Sequence, residues 1–343
     1  MKLISIVTPC YNEEDNVEET HRQVKAIFER LGKYRYEHIF IDNSSRDATP
    51  RILRRLAAAD RNVKVILNSR NFGHIRSPFY ALLQSRGDAV IPIVADLQDP
   101  LELVPRFLEQ WEQGHKVVMG VKIRSDEPKL LWAIRRVYYR LVKRLADIEL
   151  TNGYHGFGCY DRAVVDALRA MDDPYPYGRG MIHEAGFDPV KIEYHQRRRE
   201  RGITKNNFYT LYDNAMLGII SHSKIPLRLA TMLGFLASGL AGVAGVGYLI
   251  AKMLFWEEFE LGLAPLIIGL FLFASVQLFF IGILGEYIGF IHTLVQRRPL
   301  VIERERINFE YDADVPRPPA GSEASSPALD DAAATPVGAN HLS

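Results

Sequence analysis

The sequence predicts an α/β domain with a mostly parallel sheet, followed by amphipathic interface helices and two transmembrane helices. Three observations carry this reading. Strand and helix signals alternate from residue 3 onward, which means parallel strands joined by covering helices. Two long apolar runs follow residue 225, each exceeding the ~20 residues that cross a bilayer. The last stretch, "DADVPRPPAGSEASSPALDDAAATPVGANHLS", cannot bury a core and is expected to be a disordered tail.

Taken in order, "LISIVTP" is an apolar run that reads as the first core strand. "NVEETHRQVKAIFERL" has helical spacing, with Val17, Val24, Ile27 and Leu31 on one side. "YEHIFID" is a second strand, and "TPRILRRLAAAD" a second helix with Thr49 as cap and Pro50 at its first position. "VKVILN" is a third strand, and "SPFYALLQSR" opens another helix. "DAVIPIV" is a fourth strand bounded by Gly87-Asp88 and Pro100, and "KVVMGV" a fifth. Asp161 is expected to cap the helix "RAVVDALRAM".

Two amphipathic segments follow, a basic one at about 128–147 and another at about 206–223. The first places Leu130, Ile134, Val137, Leu141 and Leu145 on one stripe. Such helices beside membrane spans are expected on the anionic inner leaflet, the alternative being domain helices with a solvated basic face.

Bulk properties narrow the function classes. The 343 residues carry a formal net charge of +1, so no nucleic-acid partner is expected. The two cysteines, Cys10 and Cys159, lack metal-ligand spacing and read as free thiols in a reducing compartment. The opening "MKLISIVTPCYNEE" has too short an apolar stretch for a signal peptide. Within the two spans the charges are Lys252 and Glu286. Lys224 and Arg228 precede the first, Arg297 and Arg298 follow the second, and the hairpin "WEEFE" between them is acidic. The positive-inside rule then puts both flanks in the cytoplasm and the hairpin outside. The expected organisation is a cytoplasmic domain over 1–224, a two-helix hairpin over 225–298, and a cytoplasmic extension with its tail over 299–343.

Three loops leave the carboxyl ends of strands, where open α/β sheets hold their ligands. They are "TPCYNEE", "IDNSSRDAT" and "ADLQDP". Converging, they would form a pocket lined by Thr8, Tyr11, Glu13, Asp42, Ser44 and Asp96. In the third loop two carboxylates flank an amide, Gln98. Asp96 and Asp99 are the catalytic candidates, and for Asp99 a second reading stands, the cap of the following helix.

"SIVTPCYNEEDNV", "IFIDNSSRDAT", "SRNFGH" and "ADLQDP", in this order and followed by two spans, resemble family 2 glycosyltransferases. The pattern is most similar to the polyprenyl-phosphate branch, which includes dolichyl-phosphate mannose synthases and bacterial undecaprenyl-phosphate glucosyltransferases. The resemblance covers residues 3 to about 298. It implies a GT-A, Rossmann-like fold and inverting transfer of one sugar from a nucleotide sugar, expected to be a UDP-sugar, to a polyprenyl phosphate. The expected setting is a bacterial inner membrane, with the catalytic domain cytoplasmic and the chain a homo-oligomer. Carried over by position, Pro9, Tyr11, Glu13 and Asp42 hold base and ribose, with Thr8, Ser44 and Asp96 completing the nucleotide-sugar site. Asp96 and Gln98 would bind Mg²⁺ or Mn²⁺, the donor's diphosphate completing the shell. In "RRRERGITKNN", Arg199, Thr204 and Lys205 would hold the acceptor phosphate.

The chain also departs from the family pattern. Val94 stands where many relatives have Asp, and "HGFGCYDR" replaces "GDFRLLDR", so that Gly156 takes the place of an Asp sometimes proposed as base and Gly158 that of an Arg. His155 and Asp161 are what remain there. A phosphate acceptor, with a second pKa of about 6, can dispense with a general base. The stretch "DDPYPYGRGMIHEAGF", with Arg179, His183 and Glu184, is expected to close over the sugar. Two alternatives stand beside this reading. One is a processive polysaccharide synthase, which would show a Gln-x-x-Arg-Trp motif absent around Trp111, Trp132 and Trp256. The other is an inactive membrane scaffold, for which Val94 and Gly156 speak.

Overall fold

A computed structural model describes residues 1–123, 151, 153–196, 225–255 and 263–309. Among these, eight strands form one sheet: β1 (Leu3–Cys10), β2 (Arg35–Asp42), β3 (Val63–Asn68), β4 (Ala89–Pro92), β5 (Val117–Lys122), β6 (Tyr154–Asp161), β7 (Pro189–Tyr194) and β8 (Glu303–Ile307). Their order is β7-β5-β6-β4-β1-β2-β3-β8. The central run β4-β1-β2-β3 is parallel, as is the pair β5–β7. β6 runs antiparallel to β4 and β5, and β8 antiparallel to β3. This is the mostly parallel α/β sheet that the sequence predicts.

Helices cover both faces of the sheet. They are α1 (Val17–Leu31), α2 (Thr49–Ala59), α3 (Gly73–Leu83), α4 (Val104–Glu112), α5 (Arg162–Ala170) and α6 (Gly178–Glu184). Strands covered on both sides need apolar residues at nearly every position. β1 accordingly sends Ile4 and Ile6 to the α1–α4 side, where Phe28, Phe107 and Trp111 meet them. Its Val7 joins Ile39, Ile41, Phe79 and Leu168 on the other side. A third cluster packs Phe40, Val65 and Leu67 against Leu53 and Ala57 of α2. α1 ends where Gly32 adopts φ 61° and donates its N–H to the Phe28 carbonyl.

Several boundaries differ from expectation for identifiable reasons. Thr49 is the first residue of α2 rather than its cap, which is Ala48. Its hydroxyl accepts the Glu13 N–H at 2.9 Å, so it pins the first loop to the second. Helix α3 starts at Gly73, four residues before Ser77, and carries Pro78 inside it. β4 stops at Pro92, two residues early. Asp161 does cap its helix, accepting the Ala163 N–H at 3.0 Å.

The segment after the second apolar run is not a loose extension in its first part. β8 adds an edge strand to β3, held by Arg54 on Glu305 at 2.6 Å and by Arg306 on Gln84 at 2.8 Å. The Asn308 side chain then bridges the Ala57 and Val63 carbonyls, at 2.7 and 2.9 Å.

Helices α7 (Ile225–Leu254, 30 residues) and α8 (Leu263–Val295, 33 residues) touch one another. At 1.5 Å per residue each is ~45 Å long or more. Leu227–Ala251 and Gly269–Val295 are long and apolar enough to cross a membrane, and their large side chains are exposed, among them Phe235, Leu240, Phe271 and Phe279. The expected interface helices, the basic run with Arg199, Thr204 and Lys205, and the tail lie outside the described residues.

Candidate active site

The carboxyl ends of β1, β2 and β4 carry three loops, and each holds one non-glycine residue in the left-handed region: Asn12 (φ 56°), Ser44 (φ 63°) and Leu97 (φ 56°). Asn takes this conformation readily, but Ser and Leu require the surroundings to hold them there. The first two loops supply that constraint to each other. The Asn12 N–H donates to Ser45 Oγ at 2.8 Å, and Asn12 Oδ1 accepts the Arg46 N–H at 2.9 Å. Glu14 accepts the Ala48 N–H at 2.8 Å. In the third loop the Gln98 N–H donates to Asp96 Oδ1 at 3.2 Å, and Thr20 of α1 donates to the Ala95 carbonyl at 3.0 Å.

Buried Asn43 ties the second loop to the "SRNFGH" segment. Its amide donates to Asn71 Oδ1 at 2.9 Å and to the Gly73 carbonyl at 3.0 Å, while its oxygen accepts the Phe72 N–H at 2.8 Å. Four backbone segments are thereby locked together before any ligand arrives, the preorganisation that recognition of a polar ligand needs.

Beside these loops lies a cavity of about 660 Å³. Pro9, Tyr11 and Glu13 line it from the first loop, Asp96 and Asp99 from the third, and Arg179 from the start of α6. Its apolar wall includes Phe79, Phe157, Tyr160 and Ile182. An apolar hollow with a few convergent charged groups is the usual form of a small-molecule site.

Asp99 is buried, and its partners are not those of a helix cap. The Tyr194 hydroxyl donates to Asp99 Oδ1 at 2.8 Å, and His155 Nε2 lies 3.3 Å from the same oxygen. The turn that follows, Leu101–Leu103, has Pro100 at its cap position and no side-chain cap. The capping alternative is therefore corrected: Asp99 belongs to the cavity. Burial, then the Asp99 charge, pushes the Tyr194 phenol well above its ordinary range, so it stays a hydroxyl.

Of the other residues expected in the pocket, Pro9, Tyr11, Glu13 and Asp96 line the cavity and Thr8, Asp42, Ser44 and Gln98 do not. Thr8 is fully buried on the opposite face of β1, where its hydroxyl meets His38 Nε2 at 2.8 Å. Asp42 is buried and shapes the second loop by accepting the Ser45 N–H at 3.1 Å. Burial raises its carboxyl above the usual range, opposed by the Ser45 hydrogen bonds and the charge of Arg304. Ser44 and Gln98 are half-buried. Val94 lines the cavity and is exposed, and so does Gly156 at φ 113°, where an added Cβ would meet nothing within 4 Å. Gly158 is different, because a side chain there would strike the Val118 carbonyl of the paired strand. The roles of Asn43 and Asn71 and the contacts of His155 with Tyr194 emerge only from the structure; the local signals for the first two were the motifs "IDNSSRDAT" and "SRNFGH" that hold them.

A divalent cation would find a partial shell. Among the described residues no three His, Cys, Asp or Glu side chains form a metal cluster. Asp96 offers the cavity a hard carboxylate oxygen, a donor set that suits a cation whose remaining ligands come from phosphates and water.

Residues 5–169 match the family described as Glycosyl transferase family 2. The chain is 34% identical over 307 residues to an uncharacterized glycosyltransferase, YkcC, of Bacillus subtilis (strain 168), covering 89% of this chain and 94% of that one. It is 32% identical over 304 residues to the bactoprenol glucosyl transferase of Shigella phage SfX, covering 88% and 99%. Among solved structures, mannosyl-3-phosphoglycerate synthase from Rubrobacter xylanophilus aligns over 67% of this chain and 75% of that one, at 18% identity and a TM-score of 0.43.

Proposed function

The chain belongs to glycosyl transferase family 2, and from that premise we propose that it moves one sugar, with inversion, from a UDP-sugar to a polyprenyl phosphate at a membrane surface. The observation that carries the reading is the meeting of Pro9, Tyr11, Glu13 and Asp96 on one cavity at the carboxyl ends of β1 and β4. Supporting it, relatives at 32% identity over 88% of the chain are named bactoprenol glucosyl transferases, and α7 and α8 have the length and composition of membrane spans.

In this reading Pro9, Tyr11 and Glu13 hold base and ribose, Asp42 acts by shaping the second loop, and Thr8 joins β1 to β2 through His38. Asp96, with Gln98 as an amide partner, would hold Mg²⁺ or Mn²⁺ against the donor diphosphate. When bound, the cation supplies charge stabilisation to the departing nucleotide. Arg199, Thr204 and Lys205 would hold the acceptor phosphate just ahead of the first span. The spans would cross a bacterial inner membrane with both basic flanks on the cytoplasmic side.

The test uses the purified full chain in detergent, a panel of nucleotide sugars, undecaprenyl phosphate and mass analysis of the lipid. The reading expects one donor class to add a single sugar residue to the lipid. No lipid product from any donor, or a lipid carrying a growing glycan, would overturn it.

A further inference from the structure

We propose that β8 and the short link before it form a strap that holds the cavity end of the domain at the membrane surface, where a lipid phosphate is met in place. The inference rests on the function proposed above, with α7 and α8 as membrane spans. Its starting point is the direction of one strand. β3 ends at Asn68, and antiparallel β8 places Glu303 opposite Asn68 and Ile307 opposite Val65. The chain leaving α8 therefore meets the sheet at the carboxyl ends of its parallel strands. That is the end whose loops line the cavity.

The connection has almost no slack. α8 ends at Val295, and the Gln296 and Arg297 N–H groups still donate to the His292 and Leu294 carbonyls, at 3.2 and 3.3 Å. Arg297 then turns the chain with φ 42°. On the far side, Leu300 already packs against the cluster that holds Phe79 and Leu82, and both of these line the cavity. Val301 is buried, and the Ile302 carbonyl accepts the Ser69 N–H at 2.9 Å. Arg298 and Pro299 lie between these two sets of contacts, and proline fixes one of the few torsions left. From Arg297 to Leu300 the chain can reach ~11 Å at most. The charges of "ERERI" would suit a solvated linker, yet the domain meets them: Tyr80 donates to Glu303 at 2.9 Å, Arg54 pairs with Glu305, and Gln84 accepts from Arg306. Residues 195–224, which join β7 to α7, are far more numerous, and their length alone sets no comparable limit.

The strap matters because a lipid acceptor is hard to move. Drawing one buried methylene into water lowers the population roughly fourfold, so lifting a single prenyl unit out of the bilayer lowers it on the order of a thousandfold. A cavity fixed at the surface avoids that loss. A short, stiff tether also keeps the domain at a high effective concentration over the lipid headgroups, which a long flexible one would dilute.

The test lengthens the strap and compares two acceptors. The full chain is reconstituted in phosphatidylethanolamine–phosphatidylglycerol vesicles, with undecaprenyl phosphate in the bilayer or water-soluble geranyl phosphate in solution. A flexible Gly-Ser insertion of about twelve residues between Arg298 and Pro299 adds on the order of 20 Å of reach and leaves β8 free to pair. The expected result is a loss of about tenfold or more with undecaprenyl phosphate, and a rate within about twofold of wild type with geranyl phosphate. The same insertion after Phe309, beyond β8, should change neither rate, and an equal loss there would overturn the inference. An unchanged rate with undecaprenyl phosphate would show that the strap does not set the height of the cavity. An equal loss with both acceptors would make β8 a part of the domain's fold and nothing more. Wild type that uses undecaprenyl but not geranyl phosphate would tie the cavity to the lipid chain rather than to its height. Each of these overturns the strap and leaves the proposed function standing. A wild-type protein that transfers sugar to neither prenyl phosphate would remove both.

Discussion

The Tyr194 hydroxyl at the end of β7 donates to buried Asp99 in the loop after β4, at 2.8 Å, and so joins the far edge of the sheet to the cavity at its centre. Tyr194→Phe should keep the edge-to-face contact with Phe157, whose ring lies 5.6 Å away, and lose this bond together with the one to His155 Nε2 at 2.7 Å. Leaving a buried carboxylate oxygen short of a donor costs about 1–3 kcal/mol. Denaturant unfolding of wild type and variant measures it, and a change within error would show that Asp99 is satisfied otherwise.

Stability should fall in mild acid because of His38. Its ring is fully buried, Nε2 meets Thr8, and Nδ1 has no hydrogen-bond partner among the described residues. Burial, then the neighbouring His21, holds it well below the ordinary histidine range. A folded-state pKa below the unfolded value near ~6.5 means the unfolded chain binds more protons beneath that pH. Stability is therefore intact above pH ~6.5 and is lost progressively as the pH falls from there toward the folded-state pKa. The unfolding midpoint should drop between pH 7.5 and 5, and drop less in His38→Phe. Equal drops in both would assign the acid sensitivity elsewhere.

Elements built from residues buried on both faces were legible in the sequence. β1 to β5 read as apolar runs because a covered parallel sheet leaves no polar face. β6, "YHGFGCYD", β7, "PVKIEY", and β8, "ERERI", escaped, since glycine dilutes the first and the other two are edge strands, the charges of β8 being met by Arg54, Tyr80 and Gln84 from distant positions. The loops of the site were readable from their place after strands. Thr8 was misplaced there, although strand alternation sets it on the face opposite Val7 and Pro9, which do line the cavity. Asp99 had two readings because Pro100 and Leu101 resemble a helix start. Its deciding partners, His155 and Tyr194, come from other strands and leave no local trace.

Another buried carboxylate lies at the opposite end of the strands. Glu37 accepts the Ser5 hydroxyl at 2.5 Å and the Arg86 N–H at 2.8 Å, and pairs with Lys64. Its side chain is 3% exposed. Lys64→Met should destabilise the domain by about 3–5 kcal/mol, because it strands a buried charge rather than removing a pair. A loss below about 1 kcal/mol, read by denaturant unfolding, would mean that Ser5 and Arg86 suffice.

The proposed direction of α7 and α8 across a membrane is open to cysteine labelling in intact cells. Cys10 and Cys159 are both buried, and burial raises both thiols, so neither should compete with an introduced probe. Glu258→Cys, between the spans, should react with a membrane-impermeant reagent from outside. Reaction only after the inner membrane is breached would reverse the orientation.

Sugar transfer to undecaprenyl phosphate by wild type and Asp96→Asn, each with and without a chelator, tests the central claim most directly. Asp96 lines the cavity from a loop and is half-buried, so the variant should fold and unfold like wild type. Removing a charged ligand should lower transfer on the order of a hundredfold or more, and the chelator should abolish what wild type does. The account predicts one sugar per lipid from wild type with the cation present, and next to none from Asp96→Asn. Undiminished transfer by the folded variant would show that the chemistry does not take place at this cavity.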